Sequence, residues 1–179
     1  MSKPKPLDSS KLSPRKGVYT GSFDPVTLGH LHIIERAAGI FESVVVGIGV
    51  NQEKRPLFTI EERLDLVKKV TSHFGNVTVE SFDGLAVDFV RRLNAKVMVR
   101  GIRPLTDIAG EFTMMMANRQ LDPDLETVFL MADEEYAHVS SSLIKQIASL
   151  GYGRSLEKFV PKEIIDPLMQ KVAQSSDRS

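Results

Sequence analysis

Cysteine is absent from all 179 residues. Its absence excludes a disulfide scaffold, a thiolate nucleophile and Cys-ligated zinc or iron–sulfur centres. Net charge is absent too, because 23 Lys+Arg balance 23 Asp+Glu. The chain is therefore no global polycation, and no nucleic-acid partner is expected. Long apolar runs are missing. The longest, Val44–Val50, is far too short to cross a bilayer. The basic start lacks the apolar stretch of a secretory signal, so the expected location is cytoplasmic, with no membrane partner. No Walker A pattern occurs, and Gly47-Ile48-Gly49 begins a dinucleotide-like motif without its third glycine. The four histidines are not spaced as a metal cluster, and no Asp/Glu cluster forms an all-protein cage. No metal ligands are expected from the protein itself. Nor is there a Ser-His-Asp set with an elbow motif.

What is present suits one domain of ordinary size. The content is 42% hydrophobic and 26% charged, as in soluble globular chains. The zero charge hides an asymmetry. Residues 1–17 carry Lys3, Lys5, Lys11, Arg15 and Lys16 against Asp8, a sum of +4, which leaves −4 for the remainder. This start is rich in Pro and Ser and poor in apolar residues. Residues 1–16 are expected to be a disordered basic tail, 17–174 the folded domain, and 175–179 a flexible end.

The folded part alternates between two periodicities. Gly17–Thr20, Val44–Val50, Val77–Phe82, Val97–Arg100 and Thr127–Met131 read as strands, several nearly continuous in apolar residues as in strands buried on both faces. Leu28, Leu31, Ile34, Ala38 and Phe41 share one helical face, as do Ile60, Leu64, Val67, Val70 and Phe74. Thr59 and Glu62 form a capping-box pattern. Further helices are predicted over Leu85–Leu93, Glu111–Leu121 and Ser142–Leu150, and one from Pro161 as first helical residue. The prediction is a single α/β, Rossmann-like domain: a five-stranded parallel sheet with helices on both faces.

In such a fold ligands bind beyond the carboxyl ends of the strands, so the loops there carry the information. Thr20–His30 holds Gly21, Ser22, Phe23 and Asp24 before a helix whose N-terminus favours phosphate, with His30 beside the small Gly29. Asn51–Phe58 carries Lys54 and Arg55, alone no more than a solvated basic turn. Leu85 and Ala86 open a helix as ordinary packing positions. Arg100-Gly101-Ile102-Arg103 places two guanidinium groups after a buried strand, and their forks fit phosphate oxygens. The stretch Tyr136–Ser142 ends in three serines before a helix, with Lys145 one turn on. One such serine is an ordinary cap; together they offer hydroxyls and N–H groups to an anion. The inventory describes a small-polyphosphate site.

Thr27-Leu28-Gly29-His30 matches the T-x-G-H form of a nucleotidyltransferase motif. With Gly21-Ser22-Phe23-Asp24-Pro25, Arg100-Gly101-Ile102-Arg103 and Val139-Ser140-Ser141-Ser142-Leu143-Ile144-Lys145, in order and spacing, the chain resembles the bacterial phosphopantetheine adenylyltransferases from about Lys16 to about Ala173. The resemblance implies transfer of AMP from ATP to 4′-phosphopantetheine, giving dephospho-CoA and pyrophosphate. It implies that His30 binds ATP phosphates and stabilises the transition state. It places Ser22, Lys54, Ala86 and Arg100 on the phosphopantetheine side. On the ATP side it places Ser22, Phe23, His30, Gly101, Ile102, Arg103, Glu111 and the stretch Tyr136, Ala137, His138, Val139, Ser140, Ser141 and Ser142. It implies Mg2+ held mainly through ATP phosphates and water, and a homohexamer built as a dimer of trimers.

Several positions depart from the family pattern. Ser22 replaces the usual threonine, Tyr136 a common tryptophan and Thr20 a common proline. Asp107-Ile108-Ala109-Gly110-Glu111 lacks the tyrosine ring usual at Gly110, a departure that bears on the wall around the pantetheine arm and on the start of that helix, not on the reaction class. Two other readings stay open at the level of residues: a different phosphate acceptor, such as nicotinamide mononucleotide or a sugar phosphate, and a nucleotide sensor without turnover.

Overall fold

The computed structural model describes residues 11–50, 56–103 and 108–176. Five strands, β1 (Ser13–Gly21), β2 (Ser43–Gly49), β3 (Val77–Phe82), β4 (Ala95–Ile102) and β5 (Glu126–Met131), form one sheet in the order β3-β2-β1-β4-β5. Every neighbouring pair is parallel, as the strand–helix alternation predicts. β1 lies at the centre, with Val18 in one core and Tyr19 in the other. That two-sided burial is confined to Gly17–Thr20, the part of β1 that reads as a strand.

Helices α1 (Leu28–Ile40), α2 (Ile60–Thr71), α5 (Ser141–Ser149) and α6 (Lys162–Ser176) cover one face, where Ile34, Val67, Ile144 and Leu168 pack with Val46 and Val99. Helix α3 (Ala86–Arg92) covers the other, placing Phe89 and Val90 against Val45 and Met98. Helix α4 (Ile108–Leu121) lies beside it, with Asn118 reaching the Met98 sulfur at 3.5 Å. Gly47 is a packing requirement of this face rather than part of a nucleotide motif. A Cβ there would stand 2.4 Å from the Phe89 ring.

The chain moves outward from β1 through β2 to β3, then returns to the opposite side of β1 for β4. The reversal opens a crevice at the carboxyl ends of β1 and β4. The other end of the sheet is tied by ions. Arg91 Nε donates to Asp122 Oδ2 at 2.6 Å and Arg91 Nη2 to Asp124 Oδ2 at 3.0 Å.

Some boundaries differ from the sequence reading. The sheet begins at Ser13, inside the segment expected as tail, and Leu12 is buried. Main-chain bonds order this polar stretch: Ser13 N–H donates to Asn94 C=O at 2.8 Å, and Glu42 N–H to Arg15 C=O at 3.0 Å. The pairing with β4 carries an irregularity between Ser13 and Gly17, which hides the strand from any period-2 test. Residues 1–10 lie outside the described residues. Helix α6 starts at Lys162, not Pro161, whose carbonyl accepts from Ile164 N–H at 2.9 Å in the position of a cap. It runs to Ser176, beyond the expected boundary at 175. Two 3-10 turns, Glu134–Tyr136 and Gly153–Lys158, had no periodic signal.

Candidate active site

The crevice is entered from β1. Its first loop turns at Phe23, a non-glycine residue held at φ +47. The Phe23 side chain is 1% exposed. Its ring meets Tyr19 edge-on, with centroids 5.4 Å apart, and His30 at 5.0 Å. Gly21 makes room for it, since a Cβ there would stand 3.0 Å from the ring. So Gly21 serves the seat of Phe23 as well as any ligand, and the Phe23 side chain acts on the crevice through His30.

His30 is fixed by the start of α1. Thr27 is the N-cap, and its hydroxyl accepts from His30 N–H at 3.1 Å. The Thr27 N–H donates to His30 Nδ1 at 3.1 Å, and the Thr27 hydroxyl lies 3.1 Å from the same nitrogen. This is a capping box with histidine in the place of the usual Glu or Gln. Because Nδ1 accepts, the neutral ring carries its proton on Nε2. Burial first, then the charges of Arg103 and Arg100, push the His30 pKa down to about 4. At neutral pH the imidazole is uncharged and a donor through Nε2.

Two clefts meet here. One, of about 300 Å³, is lined by His30, Ile102, Arg103, Tyr136, Val139 and the Ser140–Ser141 helix start, among others. The second, of about 560 Å³, is more apolar and includes Phe82, Leu85, Ala86, Met98 and Met114. Thr20, Gly21, Ser22 and Arg100 line both and form the shared wall.

Arg100 is clamped in that wall. Its Nε and Nη2 donate to Glu111 at 2.7 and 2.6 Å, and its Nη1 donates to Thr20 C=O at 2.7 Å. The resemblance puts Arg100 and Glu111 on opposite sides of the site; the fold joins them as a bidentate pair at the boundary. Arg103 Nη1 donates to Val139 C=O at 3.3 Å. Gly101 is set by packing, because a Cβ there would lie 2.9 Å from Ile33 and 3.2 Å from the Tyr19 hydroxyl.

The three serines divide their work. Ser140 caps α5 by accepting from Leu143 N–H at 3.2 Å. Ser141 donates to Pro25 C=O at 2.9 Å. Ser142 is exposed and lines neither cleft, and the same holds for His138, which packs edge-on against Phe159. Ala137 lines neither cleft either. The helix start thus reaches the first cleft through Ser140 and Ser141. Lys145 is held by buried Asp24 at 3.0 Å. The same carboxylate accepts from Leu57 and Phe58 N–H at 3.0 and 2.9 Å. Lys54 lies outside the described residues. Gly110 has open space around its missing Cβ, and α4 lines the second cleft through Met114 and Asn118.

Three residues escaped the sequence reading. Thr27 reads as a plain cap; only the histidine three positions later hints at more. Asp24 reads as a turn residue, and its partner Lys145 is 121 positions away. Arg63 follows two glutamates on α2 and reads as a solvated charge, yet it is 4% exposed. Among the described residues no three His, Asp or Glu side chains converge on a metal position. The carboxylate lining the first cleft, Glu111, already faces Arg100. A metal carried by ligand phosphates and water would ask for no such cluster.

The parallel α/β sheet gathers His30, Arg100, Arg103 and the start of α5 at its switch-point crevice, an arrangement that suits a nucleotidyltransferase. Residues 18–147 match the cytidylyltransferase-like family model. A phosphopantetheine adenylyltransferase of Rhodopirellula baltica is 66% identical over 170 residues, covering 94% of this chain and 95% of the relative. One from Clostridium botulinum is 49% identical over 154 residues, 86% of this chain and 96% of the relative. The chain belongs to the phosphopantetheine adenylyltransferases. Among solved structures, the nicotinic acid mononucleotide adenylyltransferase of Plasmodium falciparum superposes with a TM-score of 0.61 at 11% identity, over 89% of this chain and 95% of the other; this likeness concerns the fold alone.

Proposed function

We propose that the chain transfers AMP from ATP to 4′-phosphopantetheine, giving dephospho-CoA and pyrophosphate for coenzyme A biosynthesis. The observation that carries this reading is the meeting of the two clefts at Ser22 and Arg100, beside a neutral His30. The polar cleft suits a nucleotide triphosphate. The second, with Leu85, Ala86 and Met114 in its lining, suits an apolar arm whose phosphate reaches the shared wall.

The acceptor phosphate is already anionic near neutral pH, so no protein base is required. One of its oxygens bonds to the α-phosphorus of ATP, the bond from that phosphorus to the bridging oxygen breaks, and pyrophosphate leaves with the electron pair. Such a reaction needs alignment and neutralisation of developing charge. His30 Nε2–H donates to a phosphate oxygen of ATP. Arg103 and the start of α5 hold the remaining phosphates, while Arg100, Ser22 and Lys54 hold the acceptor. Mg2+ bound to the ATP phosphates and water would neutralise charge on the leaving group.

Helix α4 supports the homohexameric reading. It buries no residue within the chain and exposes Ile108, Phe112, Met116 and Leu121, apolar side chains grouped on one element as in surfaces that a protein contact covers. No described helix is long and apolar enough to cross a membrane, and we place the enzyme in the cytoplasm, with its two substrates. Pyrophosphate release from ATP and Mg2+ is the test, with 4′-phosphopantetheine, nicotinamide mononucleotide or a sugar phosphate as acceptor. Release with the first alone is expected. Release only with another acceptor, or ATP binding without turnover, would overturn the assignment.

A further inference from the structure

Arg63 lines neither cleft. It sits one turn into α2, where the helix dipole disfavours a cation, and it is 4% exposed. Among the described residues it forms no ion pair. Its guanidinium is spent on main-chain carbonyls: Nη1 donates to Ser22 C=O at 2.9 Å and Nε to Thr59 C=O at 3.4 Å. A buried cation held by carbonyls, with no carboxylate in ion-pair contact, is costly to keep. The group it holds is the peptide at the junction of the two clefts.

A planar trans peptide points its C=O and N–H in opposite directions. With the Ser22 carbonyl turned to α2, the Phe23 N–H points away from α2, and it has no partner among the described residues. Phe23 itself occupies the left-handed region at φ +47. A non-glycine residue stays there only when its surroundings over-determine it. The bond from Arg63 is one such restraint, and the ring it helps to place lies under His30.

We propose that Arg63 is a positioning residue for adenylyl transfer: from outside both clefts it holds the Ser22–Phe23 peptide, and through it the seat of His30. The inference rests on the adenylyl-transfer reading. A buried positive charge behind the wall also raises the potential felt by a polyphosphate.

The test compares the wild-type chain with Arg63→Met and Arg63→Lys. Arg63→Met keeps the apolar stem and removes the fork and the charge. It is expected to fold with an unchanged or higher Tm, to bind ATP within a few-fold of wild type, and to lose about 100-fold in kcat through misplacement of the reacting groups. Arg63→Lys, which retains one donor and the charge, is expected to recover part of that loss. A readout independent of turnover is the pair of His30 ring 15N signals, expected to move in Arg63→Met and less in Arg63→Lys.

A kcat within two-fold of wild type in Arg63→Met, with unmoved His30 signals, would overturn the inference. So would a kcat loss that merely tracks Tm across both variants. Should Arg63→Met fail to fold, Arg63→Lys decides alone: a folded Arg63→Lys with wild-type kcat and unmoved His30 signals sinks the idea, and a lowered kcat with moved signals supports it. If the wild-type chain releases no pyrophosphate with any acceptor, the functional reading fails instead, and the His30 signals still report on the hold by Arg63.

Discussion

Thr27 grips His30 twice, its main-chain N–H and its hydroxyl each lying 3.1 Å from Nδ1. The hydroxyl also accepts from the His30 N–H. One residue therefore caps α1 and selects the tautomer of the imidazole that faces the crevice. Thr27→Val keeps the shape and removes the hydroxyl. It should cost about 1 kcal/mol of stability as a lost cap and lower kcat, while Thr27→Ser restores both. Thermal unfolding and steady-state kinetics on the pair check this.

The His30 pKa of about 4 sets a pH dependence. The folded-state value lies below the unfolded one near 6.5. Between pH 6.5 and 4 the unfolded chain binds the extra proton, so stability falls as pH falls through that window and is fully present above it. Denaturant unfolding of wild type and His30→Gln at several pH values should show a stability difference that shrinks toward pH 4. Turnover should show no inflection near 6.5 from this ring.

Arg100→Lys keeps a charge in the shared wall but loses the fork that meets Glu111 and Thr20 together. The expected result is a rise of about 10-fold in KM for the acceptor, since one good polar contact amounts to about 1.4 kcal/mol. The KM for ATP should change less. Initial rates with each substrate varied in turn give both numbers.

Arg91 offers the opposite case, stability without chemistry. It holds buried Asp122 together with Asp124 at the far end of the sheet. Removing one partner of a buried pair leaves the other uncompensated, so Arg91→Ala should cost about 3 kcal/mol. In the folded protein at low temperature, kcat should stay at the wild-type value. Urea melts and a rate at that temperature separate the two effects.

Helix α4 gives an assembly prediction. Phe112 is 56% exposed in the monomer beside Ile108 and Met116. Phe112→Glu should lower the sedimenting mass while leaving the circular dichroism of the fold intact. Unchanged mass would place the subunit contact elsewhere.

Most of the fold was legible because the inner strands are buried on both faces and edge strand β3 alternates between half-buried and exposed positions. Val44–Val50 and Val77–Phe82 announce themselves as apolar or β-branched runs, and Thr59 with Glu62 marks the start of α2. The start of β1 was not legible, because Ser13–Lys16 is polar and ordered by main-chain bonds to Asn94 and Glu42. In the site, Arg100 and Arg103 stand out because they sit at the carboxyl end of β4, and His30 and Ser140 because they open the helices that follow β1 and β5. The second layer could not. Asp24 with Lys145 and Ser22 with Arg63 are partnerships across 121 and 41 positions, and only the fold brings them together. The division of labour among Ser140, Ser141 and Ser142 depends on the turn of α5, which residue type does not encode.

The proposed transfer of AMP to 4′-phosphopantetheine turns on a neutral His30 in the polar cleft, beside the wall that the two clefts share. The most direct measurement is the kcat of His30→Ala with ATP, Mg2+ and 4′-phosphopantetheine, alongside the two KM values and the Tm. Loss of a preorganised donor should lower kcat by about 1,000-fold, with both KM values within a few-fold of wild type and the fold intact. A folded His30→Ala that turns over at the wild-type rate would contradict it.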